Sequence, residues 1–443
     1  MSRLLIVEQG APGFRQYIIK HLVELEYRLT LLTEFPSVWS QDLFEQIIHT
    51  RLRSWPHILQ IVETEHARDP FQGVFCYNEG GVPLANLIAR QLGLPAVSNF
   101  DGETFRYKDR MCVAWETAGV DIPRYRILHD RRDMYFLSSW KYPLVLKPAA
   151  LMGSNGVIKV ERFEELANKI RIPFDADLDL DFGGMIFSLS EVYGLPTTVL
   201  AEEYIAGPEY SAEGVTIDGQ YILLGITKKF TVDEPFFDEA GHIFPALDID
   251  ASHYEVINKV LTKAHQALGI CNAFTHAEFR MSDGRPVMME LGARMGGDHI
   301  PRLVDYALAT DTVGLAARCA CGQLQPEEVS LSSFSGHTAP HRIAAIFFIS
   351  SPPEAYGAIF QGISVPSMEE CEILETSLYF KVGDRITSPE TWGDTRLGHI
   401  MFATADFNTA IEAMDSLAKH IDVTYEGAHK SSAGVSSRSA FGC

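Results

Sequence analysis

"FTHAEFRMSDGRPVMMELGARMGG", Phe274 to Gly297, is the stretch on which the reading of this chain turns. Phe274 to Arg280 alternates and is rich in aromatics, as a strand should be, and Pro286 to Leu291 reads as a second strand. Ser282-Asp283-Gly284 between them carries the turn residues of a β-hairpin. Folding about Gly284 sets Glu278 opposite Glu290. Like charges directly opposed on a sheet are destabilising, unless a cation lies between them. Magnesium takes one or two carboxylates and completes its octahedron with phosphate oxygens and water. The pair therefore reads as a magnesium clamp that a nucleotide completes. The plain alternative is a solvated acidic hairpin.

Working outward, the 443 residues are 46% hydrophobic and 21% charged, an ordinary globular balance with room for two to four domains. Lys plus Arg is 37 against 58 for Asp plus Glu, a formal charge of −21. That argues against nucleic acid or an anionic membrane surface as the main partner. No apolar run reaches the roughly 18 residues of a membrane span. Met1 to Val7 reads as a strand, not a signal peptide, so a cytoplasmic location is expected. The seven cysteines are scattered, with Cys319 and Cys321 the only close pair, and read as reduced, buried small residues.

The first hundred residues alternate strand and helix signals, implying a parallel α/β sheet. Strands are expected at Leu4–Val7, Leu29–Thr33, Ile58–Val62 and Gly73–Tyr77, with helices after Gly13 and over Pro83–Leu92. Glu8-Gln9-Gly10-Ala11-Pro12-Gly13 is not GxGxxG, so a dinucleotide site is not indicated. Lys108–Gly119 reads as a helix and Tyr142–Lys147 as a strand, while acidic Ile172–Asp181 reads as a loop. Val199–Tyr204, Tyr210–Ile217 and Tyr221–Thr227 are strands, the last two joined at Asp218-Gly219, and Ile257–Leu268 is a helix closed by Gly269. Serine-rich Ser330–Gly336 marks a boundary. Beyond it, strands at His341–Phe348, Glu372–Phe380 and Gly398–Ala403 and a helix at Asn408–His420 make a smaller α+β domain. The Ser/Gly-rich tail, 430–443, is expected to be disordered.

Two further segments carry chemistry. "LKPAALMGSNGV", Leu146 to Val157, places Lys147 before Gly153-Ser154-Asn155-Gly156, a glycine turn whose N–H groups can approach phosphate oxygens, though it is not a Walker loop. "EEYIAGPEYSAEG", Glu202 to Gly214, puts a charged pair at the end of an apolar strand. A hinge of that kind can read an adenine edge, with Glu209 free to accept from ribose. Taken singly, each of these is only a turn or an acidic strand.

Their order resembles the ATP-grasp superfamily from about Arg106 to Leu324: lysine, lysine with glycine loop, EExIxGxE, ExF, then ExGxR. Within it, Pro235 to His242, Pro245-Ala246 and "ELGARMGGDHIPRL" (Glu290 to Leu303) are most similar to L-amino-acid ligases of the bacilysin-synthetase type. The resemblance implies an α/β and α+β molecule in three parts. These are a pre-ATP-grasp α/β domain at 1–105, an ATP-grasp domain at 106–328 with a lid at about 141–204, and a C-terminal α+β domain at 335–428.

It also implies roles. Lys108, Lys147, Gly153, Ser154 and Gly156 would bind phosphates, and Lys228 would join them, with Lys229 competing for that place. Glu202, Glu203 and Ile205 would hold adenine, Glu209 the ribose, and Glu278 and Glu290 the magnesium, or manganese in its stead. Arg294, with Gly296 and Gly297, would face the reacting acyl group, and Lys147, Glu290 and Arg294 would carry catalysis. His242 is expected at the substrate, in a pocket-forming loop, and His276 and His299 either near it or in packing. Gly292 stands where many relatives have asparagine.

The implied activity is ATP-dependent joining of an amino acid to an amine through an acyl phosphate, with ATP and magnesium, amino-acid substrates and a homodimer. Two rival readings stand beside it. A carboxylase-like enzyme activating bicarbonate would carry an ENTRxQVEH-like run in its biotin-dependent members, which Glu290 to Asp298 is not. A nucleotide-sensing protein without turnover would be favoured by loss of Glu278, Glu290 or Arg294, and all three are present.

Overall fold

The computed structural model of the chain describes residues 1–7, 12–35, 39–177, 179–181, 186–188, 194, 197–232, 237–330, 340, 342–387 and 395–427. Arg3–Val7 (β1), Arg28–Thr33 (β2), Gln46–His49 (β3) and Gly73–Phe75 (β4) form a parallel sheet in the order β3-β2-β1-β4. Its strands are apolar on both faces because both are covered. Leu4 and Ile6 pack with Ile18, Ile19 and Leu22 of the helix Pro12–Glu24, while Leu5 and Val7 pack with Ile58, Val62 and Ile88.

Ile58 and Val62 therefore lie in a helix, Trp55–Arg68, and not in the strand expected there. The apolar residues recur at i and i+4, and Pro56 in the first turn favours a helix start. The strand missing from the expectation is the short β3.

Tyr125–Leu128 (β5), Leu144–Pro148 (β6) and Ile158–Val160 (β7) belong to a second sheet. The segment expected as a loop instead holds a short helix, Arg171–Asp175, and a strand, Asp179–Asp181 (β8), paired with Ile186–Ser188 (β9). Val199–Glu203 (β10) completes the second sheet in the order β5-β10-β6-β7.

The third sheet begins with Glu209–Ile217 (β11), Gln220–Val232 (β12), Asp238–Phe244 (β13), Ala273–Ser282 (β14) and Arg285–Gly292 (β15). It continues through Ile343–Ser351 (β16), Glu372–Leu378 (β18) and Thr395–Thr404 (β19), while Ile359–Ser364 (β17) pairs apart with Asp422–Glu426 (β20). The order is β15-β14-β11-β12-β13-β16-β19-β18, eight strands in all. The C-terminal segment thus extends the central sheet: β16 pairs antiparallel with β13 rather than founding a sheet of its own. The serine-rich boundary beyond Ser330 and the tail lie outside the described residues.

One face of β14 packs Ala277 and Phe279 against Tyr254, Ile257 and Leu261 of the helix Ala251–Ala267. Alternation sends His276, Glu278 and Arg280 to the other face. That face looks across a cleft to β6 and β10.

Candidate active site

The hairpin closes as the sequence predicts. Asp283 and Gly284 both have positive φ (50° and 73°), the two-residue turn whose twist suits a hairpin. The register pairs Glu278 with Glu290. A bulge follows: Phe279 pairs with Met288, so Met289 is an extra residue. Its freed carbonyl accepts from Lys147 Nζ at 3.3 Å.

A cleft of about 130 Å³ lies between the second and third sheets. Lys108, Lys147, Gly153, Ser154, Glu202, Ile205, Glu209, Glu278, Glu290 and Arg294 all line it. Gly156 is not among the lining residues but shapes the turn. Its φ is 72°, and a Cβ there would lie 2.5 Å from the Ala176 Cβ.

The opposed carboxylates do not face each other bare, contrary to the repulsion expected from sequence. Lys229 Nζ lies 2.6 Å from Glu278 Oε1, and Lys108 Nζ lies 2.8 Å from Glu290 Oε1. Burial alone would raise the Glu278 carboxyl, but Lys229 and His276 hold it well below the usual carboxylate range. Lys229 also meets Glu239 at 2.6 Å and Glu209 at 3.3 Å. Burial would lower its ammonium, yet these carboxylates raise it well above the ordinary value. Lys147, likewise buried, stays raised through Glu202 at 2.7 Å.

Lys229, not Lys228, faces the cleft. Neighbours on a strand point to opposite faces, and Lys228 turns to Asp248 and the rings of Tyr210 and Phe230. Glu203 is also absent from the cleft lining, its strand position sending Glu202 inward and leaving it half-buried. Tyr204 and Phe237 stack at 6.5 Å and wall the cleft with Ile205. Arg280 donates to the Ile205 carbonyl at 3.0 Å and pairs with Glu209 at 3.0 Å, so it ties hinge to sheet.

His276 accounts for itself: Nδ1 is 2.9 Å from Glu213 Oε1 and Nε2 is 3.2 Å from Glu278 Oε1. Burial would lower the imidazole, but the two carboxylates, Glu213 foremost, push it up to about 9. It is held protonated behind Glu278.

His242 departs from expectation. Asp238–Phe244 is a strand, and His242 on it is fully buried, 3.2 Å from Glu239 and 3.5 Å from Asp298. Asp298 in turn takes Arg396 in a bidentate pair at 2.8 and 3.0 Å. Neither His242, Gly296, Gly297 nor His299 lines the cleft. Gly296 instead packs behind it, where a Cβ would meet His276 Nδ1 at 3.0 Å. His299 stands 4.7 Å from His399, ring to ring, and burial with that neighbour pushes its imidazole down to about 4.

Arg294 pairs through Nε with Glu79 at 2.7 Å, a carboxylate 3% exposed that arrives from the turn after β4. Glu79, Glu213, Arg280 and Arg396 escaped the sequence reading, whereas Glu239, expected with Asp238 and His242 as a polar group of a pocket-forming segment, does line the cleft. Two had a usable signal. Arg280 is two residues from Glu278 on a strand, and Glu79 follows a parallel strand at its carboxyl end, where α/β sheets place ligands.

No helix among the described residues is long and apolar enough to cross a membrane. Two carboxylates on facing strands, half-exposed to a cleft with three lysines, are a hard oxygen donor set that fits magnesium beside phosphate.

Residues 140–302 match the family described as the ATP-grasp domain. The chain is 27% identical to dapdiamide A synthase of Enterobacter agglomerans over 64% of each chain. It is 29% identical to the alanine–anticapsin ligase of Bacillus subtilis, over 48% of this chain and 46% of that one. The matches thus span about half to two thirds of those relatives' own lengths. Among solved structures, an L-amino acid ligase from Bacillus licheniformis superposes with a TM-score of 0.75 at 23% identity, covering 96% of this chain and 99% of that one. The chain carries an ATP-grasp domain on an ATP-grasp fold, and it resembles the ATP-grasp carboxylate–amine ligases of the L-amino-acid ligase kind.

Proposed function

We propose that this chain is an ATP-dependent carboxylate–amine ligase that activates an amino acid and joins it to an amine, with a second amino acid as the expected acceptor. The observation that carries the reading is the Glu278–Glu290 pair in a cleft whose walls also carry the cations Lys108, Lys147, Lys229 and Arg294. A carboxylate is a poor electrophile because oxide is a hopeless leaving group. Attack of its oxygen on the γ-phosphorus of ATP makes an acyl phosphate and releases ADP. The amine then attacks the acyl carbon, losing a proton, and phosphate departs.

Lys108, Lys147 and Lys229 neutralise phosphate oxygens in this scheme, and the Gly153–Gly156 turn offers backbone donors. Glu278 and Glu290 would hold magnesium, which when bound offsets charge on the transferring group. Arg294 faces the oxyanion of the tetrahedral intermediate. Tyr204, Ile205 and Phe237 wall the base, and Glu209 serves the ribose once Arg280 yields it. A lid built on β5, β6, β7 and β10 excludes water from the acyl phosphate. The same reading takes the protein as cytoplasmic and homodimeric; sedimentation of the purified chain checks the latter.

The test is an ADP-release screen with ATP and magnesium over amino acids, singly and in pairs, with hydroxylamine as a trap. ADP and phosphate with an amino-acid hydroxamate are expected. AMP and pyrophosphate forming in step with product would overturn the acyl-phosphate scheme.

A further inference from the structure

Gly292 lies on β15, two residues beyond Glu290 and two before Arg294. Its backbone does not require glycine, since it is absent from the positive-φ residues. Space does. A Cβ at this position would stand 3.1 Å from Glu79 Oε2, 3.4 Å from Arg294 Cζ and 3.6 Å from Arg294 Nε. A Cβ would fit only if its nearest neighbour gave way by a few tenths of an ångström, and that neighbour is a carboxylate from the N-terminal α/β part, about two hundred residues earlier in the chain.

Glu79 reaches this place on a rigid support. Asn78 caps the short turn Glu79–Gly81 by accepting from the Gly80 N–H at 3.1 Å, and the helix Val82–Leu92 follows at once. Its carboxylate is buried and contacts Arg294 Nε at 2.7 Å. Arg294 Nη1 donates to the Met295 carbonyl at 2.8 Å, so the guanidinium is held from two sides. Glu79 Oε2 and Arg294 Nε meet as a close ion pair without hydrogen-bond geometry, so the carboxylate fixes where the guanidinium sits while the Nη1 hydrogen bond to Met295 sets how its plane is turned.

We propose that Glu79 is the positioning residue for Arg294, and that Gly292 is glycine so that Glu79 can reach it. The two sites form one coupled unit linking the N-terminal part to the arginine that faces the reacting acyl group. It rests on the role given to Arg294 above. The charge environment agrees: burial would raise the Glu79 carboxyl, but Arg294, Arg106 and Lys108 hold it below its ordinary value. Glu79 is thus a fixed anion that orients a cation.

The experiment is a double-mutant cycle on the full chain with Glu79→Ala, Gly292→Ala and both together, plus Glu79→Gln and Glu79→Asp. Melting temperature and ADP affinity are read for every variant, and kcat and KM for ATP with whichever amino acids the screen finds. Gly292→Ala is expected to lower melting in the wild-type background and to do so much less once Glu79 is alanine, because the clash needs both partners. Glu79→Gln is expected to lower kcat on the order of a hundredfold, the scale of a misplaced catalytic group, with KM for ATP and ADP affinity within about twofold. Glu79→Asp is expected to restore part of kcat.

Additive effects of the two alanine substitutions on melting would overturn the coupling. Wild-type kcat in Glu79→Gln, or a loss confined to KM, would overturn the positioning role. If the wild-type chain turns over no substrate, it is the ligase reading that fails, and the melting cycle still decides whether Glu79 and Gly292 share one space.

Discussion

One face of the eight-stranded sheet is treated in two ways. Over β15, β14, β11 and β12 it lies open to the cleft, and the two opposed carboxylates there are each paired with a lysine: Glu278 with Lys229, Glu290 with Lys108. Over β13, β16 and β19 the helix Ile300–Leu308 covers it, with Ile300, Leu303, Val304 and Ala307 packed on Phe244, Ile346, Phe348 and Met401. At the border lies a second ionic group: Glu239, His242 and Asp298, whose donor atoms lie within 4.8 Å of one another. By donor type alone this second group looks the better metal site. It is already satisfied, however, by Arg396 clamped on Asp298 and lying 3.9 Å over Phe348, and by Lys229 on Glu239. A lysine on a flexible stem can be drawn off a carboxylate by an arriving phosphate. A bidentate arginine stacked on a ring cannot move so freely. On the proposed function, pairing at the cleft is exchanged when nucleotide arrives, whereas the pairing at the edge of the helix is held in place by Arg396.

The largest break in this contrast is expected from Glu278→Gln combined with Glu290→Gln. Turnover should fall by about a thousandfold or more, the upper range for losing transition-state electrostatics, read as ADP release. The repulsion expected from sequence would have made Glu290→Gln stabilising without metal. With Lys108 buried against Glu290, the single substitution should instead lower the melting temperature.

Next comes Lys229→Met. It strips the cation shared by Glu209, Glu239 and Glu278, and removing one partner from a buried ionic group costs about 3–5 kcal/mol. Denaturant unfolding reads that loss, and ADP affinity should fall with it.

His242→Gln should lose stability but keep ADP affinity. Burial would lower this imidazole, but hydrogen bonding to Asp298 and Glu239 raises it above 6.5. A histidine with a raised folded value stabilises fully below its unfolded pKa and loses that contribution as pH rises through the folded one. The stability gap between wild type and His242→Gln should therefore be widest below about pH 6.5 and narrow on the alkaline side. A gap that widens with pH would contradict the protonated assignment.

The smallest effect belongs to Lys228→Met, one residue from Lys229. Its half-exposed pair with Asp248 should be worth about 1 kcal/mol or less, with ADP affinity unchanged. Equal losses from Lys228→Met and Lys229→Met would erase the distinction between the two faces of β12.

The hairpin was legible in its turn, Asp283-Gly284, but that turn alone would set Glu278 against Met289; the bulge at Met289, which nothing in the sequence announced, brings Glu290 into register with Glu278. The parallel sheet was legible in part, and it failed where Ile58 and Val62 fit either period. Period alone shows that Lys228 and Lys229 face opposite ways without saying which faces the cleft. That is decided by Ala212, Ala277 and Phe279 on neighbouring strands, which claim the other side for the core. Arg396 could not be read, and Glu79 was signalled only by its place after a strand and not by its partner, since both reach their partners only after separate segments pack.

The exchangeable pairing is tested most directly by manganese binding to the full chain, followed by electron paramagnetic resonance with and without ADP. On the proposed function, phosphate draws Lys108 and Lys229 off Glu290 and Glu278, so manganese should bind weakly alone and at least tenfold more tightly (about 1.4 kcal/mol) with ADP present, and Glu290→Gln should abolish that gain. Equal manganese affinity with and without ADP, or a gain that survives Glu290→Gln, would contradict it.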